Sequence, residues 1–241
     1  MTDILRGDGV AAWRQIADRL SADIAHGRFQ PGEQLPVEAT LAADFAVNRH
    51  TVRRALAALA AGGLVRATQG RGTFVEAKPL PYPIGTRTRF SELVQRAGRE
   101  AGGKLITSGK VSADAETATA LDLAKGTAVL RLETVRSADG TPISMGTAYF
   151  PLPRFAKLAA AHRKTGSTTK ALKLCGVADY TRAETRVSAR PPRAEEARLL
   201  DLAAGRPVLT VTSINVDPAG VPIQFTHAVF VADRTELLIE S

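Results

Sequence analysis

The chain has 241 residues, 44% hydrophobic and 23% charged, with a net charge of +8 and a pI of about 10.1, ordinary values for one large or two average globular domains. No apolar run reaches the length that spans a bilayer, and the N-terminal MTDILRGDGVAAWRQ lacks the basic and apolar segments of a signal peptide. Cys175 is the single cysteine, which excludes an internal disulfide and a Cys-rich zinc site, so a cytoplasmic protein is expected.

Charge is unevenly placed. Residues 1–78 hold 10 Lys and Arg against 8 Asp and Glu, and residues 79–241 hold 22 against 16. Between residues 45 and 75 there is no Asp or Glu, while Arg49, Arg53, Arg54, Arg66 and Arg71 all fall there. Such a stretch suits a polyanion, because each Arg can neutralise a phosphate and release counterions.

Trp13, Ile16, Leu20 and Ile24 recur at helical spacing and predict a helix over residues 10–26, ended by Gly27 and the Pro31-Gly32 turn. Pro36 precedes a second helix near residues 38–45. Asn48 is a good N-cap for a third, whose inward stripe is Val52, Ala55, Leu56 and Leu59 and whose stop is Gly62-Gly63. Residues 64–68 and 73–75 then read as strands joined by a Gly-rich hairpin. Three short helices and a two-stranded wing make a winged helix-turn-helix. The third helix would enter the major groove with Asn48, Arg49, His50, Thr51 and Arg53 toward the DNA, Arg suiting guanine and Asn adenine. The wing, Gln69, Gly70, Arg71 and Gly72, can approach a phosphate or the minor groove closely.

Residues 79–85, with Pro79, Pro81 and Pro83, read as an extended linker. The expected domains are therefore 1–78 and 86–241. The second contains an internal repeat. LDLAKG from Leu121 returns as LDLAAG from Leu200, and each copy is followed by a strand, a turn, a Pro-Ile pair and a strand ending in aromatics. Residues 104–113 and 180–189 supply further strands. Two copies imply an α+β domain: a pseudo-twofold antiparallel sheet, helices on one face, and a ligand cleft between the halves.

PGEQLP (31–36), the LA…F.V.R.TVRRAL pattern (41–56) and QGRGTFV (69–75) resemble the DNA-binding domain of the GntR-type bacterial regulators. The second segment, with Gly140-Thr-Pro-Ile143 and Gly220-Val-Pro-Ile223, resembles the chorismate-lyase-like (UTRA) effector domain of the HutC subgroup. RHTVRRALAALAAGGLV and the run from Tyr82 to Ser91 resemble regulators of phosphonate metabolism. The resemblance implies a homodimer on an inverted-repeat DNA operator, acting as a repressor released by a small anionic effector, of phosphonate or phosphate type. It implies effector contacts at Arg89, Phe90, Ser91, Arg136, Thr147, Ser167, Thr169, Gln224, His227 and Phe230. Arg87 joins them on chemical grounds, since Arg87, Arg89 and Arg136 can fork onto phosphonate oxygens. Ser167-Thr168-Thr169 can open a helix facing an oxyanion. The chain departs from relatives at Val37, which lacks a capping hydroxyl, at Ala39, often Arg, and at Gly146 and Gln224, both often Glu in sugar-phosphate sensors.

Enzymatic signatures are missing from the sequence. The four histidines have no metal-ligand spacing, and neither a nucleophile elbow nor a P-loop is present. No cofactor or metal is expected. The rival readings are a metabolite-binding module with residual lyase-like turnover and a non-specific architectural DNA-binding protein.

Overall fold

The structure, a computed structural model, describes residues 10–68, 70–76, 79–87, 89–202 and 205–239. The chain packs into two compact units, Met1–Lys78 with Asp201–Arg206, and Pro79–Leu200 with Pro207–Ser241.

The first unit contains α1 (Ala12–Ala25), α2 (Glu38–Asp44), α3 (Arg49–Ala61), β1 (Val65–Thr68) and β2 (Gly72–Val75). Ile16 and Leu20 of α1, Leu41 of α2, Val52, Ala55, Leu56 and Leu59 of α3, and Val65 and Val75 of the strands share one core, with Trp13 and Ile24 packed against it. The helical periodicities therefore face inward as the sequence predicts. α3 starts at the Asn48 cap, and the chain leaves it through Gly63, whose φ of +74° belongs to the left-handed region that favours glycine. Val37 precedes α2 without a side-chain cap. β1 and β2 pair antiparallel, Val65 opposite Val75. A bridge from Gln34 to Phe74 extends that ribbon.

The second unit contains β3 (Leu80–Pro83), α4 (Phe90–Arg96), β4 (Ala101–Ser112), α5 (Ala115–Ala120), β5 (Ala128–Ala138) and β6 (Thr141–Pro151). It continues through α6 (Leu158–Thr165), α7 (Thr168–Leu174), β7 (Thr181–Arg190), α8 (Ala194–Leu200), β8 (Val208–Val216), β9 (Pro222–Val231) and β10 (Thr235–Leu238). Six strands form one antiparallel sheet in the order β4-β5-β6-β9-β8-β7. That order is what two copies of an outer strand plus a hairpin produce when they meet at β6 and β9. Asp122 and Asp201 share φ values of +54° and +55°, so the repeat extends to the backbone of its LDLA turns.

Two expectations are corrected. The segment read as a linker is partly a strand: β3 pairs parallel with β10, and Leu80 and Tyr82 are buried. Pro81 and Pro83 alternate with them, and a two-stranded ribbon has only edges, where a missing N–H is tolerated. The helices also lie on both faces of the sheet. Along β5, Leu130 and Leu132 pack with Leu158 of α6 and Ala171 and Leu172 of α7, whereas Val129 packs with Ala118 of α5. Neighbouring residues of a strand point to opposite faces, so α5 covers the other side.

Candidate functional site

The first unit presents a cationic edge at the start of α3. Asn48 Oδ1 accepts the Thr51 amide N–H at 2.8 Å and the Thr51 hydroxyl at 3.0 Å. Its acceptor is thus engaged in the cap, and its amide NH₂ is what remains for a phosphate or a base acceptor. Arg49 and His50 are exposed. Arg53 forks onto Glu38, Nε to Oε1 at 3.0 Å and Nη2 to Oε2 at 2.8 Å, and this pairing holds the Glu38 carboxyl below its ordinary range. Arg54 lies over the Trp13 ring and Arg66 over the Phe74 ring, 4.7 and 4.9 Å from the centroids. Arg54 thus ties α3 to α1, and Arg66 packs across the two strands of the wing.

The wing turn carries Arg71, exposed between Gly70 (φ +72°) and Gly72 (φ +113°). Gln34, which sequence reasoning missed, donates from Nε2 to the Arg71 carbonyl at 2.9 Å and braces the wing from below. A Cβ at position 72 would stand 2.4 Å from that nitrogen. Gln69, the remaining wing candidate, lies outside the described residues.

The second unit holds an open cleft between the sheet face under α6 and α7 and the start of α4. Arg89, Phe90, Ser91, Arg136, Ser167, Thr169, Gln224 and Phe230, eight of the eleven predicted effector residues, line it. Arg136 lies over the Phe90 ring at 5.6 Å. Ser167 caps α7, its Oγ accepting the Lys170 amide at 3.4 Å, and Thr169 shares a 2.8 Å hydrogen bond with the Tyr180 hydroxyl. Arg89 donates from Nη2 to Asp179 at 2.6 Å and lies over the Tyr180 ring, while its buried Nε has no hydrogen-bond partner.

Three predicted residues fall outside the cleft. Arg87 is not among the lining residues and donates from Nη2 to Asp179 at 2.6 Å. Thr147 and His227 point to the opposite face, because on β9 it is Gln224, Thr226, Ala228 and Phe230 that line the cleft. His227 lies there 3.7 Å from Glu116 Oε2.

Lys104, His162, Tyr180, Arg182 and Asn215 line the cleft but were not singled out by the sequence. His162 is 4% exposed, its Nδ1 has no partner, and burial together with the Arg136 charge pushes its pKa below the ordinary value. Arg182 has buried Nε and Nη1 atoms without hydrogen-bond partners. The cleft thus gathers Arg89, Lys104, Arg136 and Arg182, with no Asp or Glu among its described lining residues.

Comparison with known proteins agrees with both halves of this arrangement. Residues 13–75 match the family of bacterial regulatory proteins of gntR type, and residues 96–236 match the UTRA domain. An uncharacterised HTH-type transcriptional regulator of Rhizobium meliloti is 47% identical over 97% of this chain and 96% of its own length. The probable transcriptional regulator PhnF of Escherichia coli is 31% identical over 95% and 94%. The crystal structure of PhnF from Mycobacterium smegmatis superposes with a TM-score of 0.63 at 27% identity, over 94% of this chain and 98% of that one. GntR regulators bind DNA and UTRA domains bind small-molecule effectors, and this chain, a transcriptional regulator, belongs to the GntR family with a UTRA domain.

Proposed function

We propose that the chain is a cytoplasmic, homodimeric repressor that reads an inverted-repeat operator through α3 and the wing and is released by an anionic effector of phosphonate or phosphate type. The observation that carries the effector class is the cleft: four cationic side chains and no carboxylate among its described lining residues. Arg136 and Lys104 make no ion pair among the described residues, so an anion would find them without displacing a protein partner. Such charge-assisted hydrogen bonds contribute about 1.5–3 kcal/mol each. Ser91, Ser167 and Thr169 add hydroxyl donors at the same wall. The effector acts by binding one conformation of the regulator better than another.

On α3, Arg49 and Arg53 are the base-reading residues in this proposal, with Asn48, His50, Thr51 and the wing positioning the backbone. The test is a footprint on the DNA upstream of the protein's own gene cluster, with and without phosphate and a set of alkylphosphonates. A palindromic footprint that fades with one of these anions is the expected result. A footprint indifferent to all of them removes the anionic effector, and the absence of sequence-specific protection removes operator control.

A further inference from the structure

The repeat and the strand register together place a second cationic corner in the cleft. The spacing that carries Leu121 onto Leu200 carries Arg136 onto Asn215 and Gly103 onto Arg182. The sheet obeys the same relation, for Gly103 pairs with Arg136 and Arg182 pairs with Asn215. On the central strands Arg136 continues through Ser144 to Phe230, and Asn215 continues to Gln224, so the two corners lie at opposite ends of β9. Each corner has one arginine: on the inner strand β5 in the first half, on the outer strand β7 in the second.

The second corner holds unmatched donors on a fixed floor. Arg182 is anchored by its backbone, which donates to the Thr86 carbonyl at 2.8 Å, yet its Nε and Nη1 are buried without hydrogen-bond partners, and it makes no ion pair among the described residues. Arg182 is half-buried, and two guanidinium nitrogens held from water without partners are costly unless an acceptor completes them. Beside it, Asn215 and Gln224 are 6% and 4% exposed. Asn215 Nδ2 donates to Gln224 Oε1 and Gln224 Nε2 donates to Thr226 Oγ1, both at 2.9 Å. This chain fixes the floor and leaves the Thr226 hydroxyl proton to donate into the cleft.

We propose that the Arg182 corner is a second anion subsite, so that the effector is two-ended: a phosphonate or phosphate on the Arg136 and Lys104 side, and a second acidic group, of carboxylate kind, on Arg182, Asn215 and Gln224. The inference rests on the reading of the cleft as an anion site and adds the chemistry of the far end.

The test is calorimetric titration of the full chain with ω-phosphonocarboxylates of increasing length, each matched to the alkylphosphonate of equal length. At least one phosphonocarboxylate should bind about tenfold or more tightly than its matched alkylphosphonate, the scale of one charge-assisted hydrogen bond. Arg182→Gln should weaken the phosphonocarboxylate more than its matched alkylphosphonate and so erase that preference, whereas Arg182→Lys should keep part of it. Equal affinities for every matched pair would overturn the second subsite while the anion reading stands. Binding of no anion at all would overturn that reading and the subsite with it. A preference that survives Arg182→Gln would overturn the assignment to this corner. The wild-type comparison needs no variant, so it decides even if Arg182→Gln fails to fold.

Discussion

Arg49 and Arg53 sit one helical turn apart, but the structure gives them different starting states. Arg49 is exposed, whereas Arg53 must leave Glu38 or carry it along when it meets DNA. Both partners of that pair are substantially solvated, so the pair is a weak restraint. Arg49→Ala should therefore weaken operator binding by about 1–3 kcal/mol per half-site if it reads a base, with the unfolding temperature unchanged; fluorescence anisotropy on the operator and thermal melting check the two halves. Arg53→Ala should weaken binding as well, and Glu38→Gln should not. Unchanged affinity in both arginine variants would remove α3 as the reading element. His162 gives a second prediction of this scale. Burial holds its folded pKa below that of the unfolded chain, so the unfolded state takes up the proton first as the solution is acidified. Its contribution is complete above about pH 6.5 and is lost as the pH falls below that value. Melting temperature should therefore step down as the pH falls below about 6.5, and His162→Leu should remove that step.

Elements show which interactions the local sequence announces. The Asn48 cap is one: Asn48→Ala removes the acceptor for the Thr51 N–H and should cost about 1 kcal/mol, read by denaturant titration. Tyr82 in β3 is another kind, legible only after folding. It is 2% exposed, packs 4.9 Å from the Phe230 ring, and also lines the cleft. Tyr82→Ala should cost about 3–5 kcal/mol, as for other buried aromatics. The contrast explains what could be read from the sequence. The winged helix follows from local signals, namely helical spacing, Asn48, and the glycines at 62, 63, 70 and 72, and the pseudo-twofold sheet follows from the LDLA repeat. Thr147 and His227 lie on the central strands β6 and β9, but the face of a strand is fixed by which helices settle on which side, and that is not written locally. Their mutual pairing on the face away from the cleft is a property of the assembled sheet. Arg182, Lys104 and His162 were invisible for the same reason: a strand register or a helix packed from elsewhere in the chain brings each to the cleft, and no spacing marks them.

The whole molecule has separate hydrophobic cores in its two units: one around Ile16, Val52 and Leu59, the others around Phe230, Phe150 and Phe225. No described residue of the first core belongs to the second unit's clusters, so each unit can melt as its own cooperative transition. An anion in the cleft stabilises only the unit that binds it. At a ligand concentration of about 100 times Kd the gain is about 2.7 kcal/mol, which for a domain of this size raises the midpoint by roughly 5–11 °C. Differential scanning calorimetry of the full chain should thus show two transitions, with the bound anion raising one and leaving the other in place. A short operator duplex should raise the opposite one, because its contacts lie on the winged helix. A single transition raised equally by both ligands would mean that the units unfold together, and effector and operator would then act on one shared cooperative equilibrium.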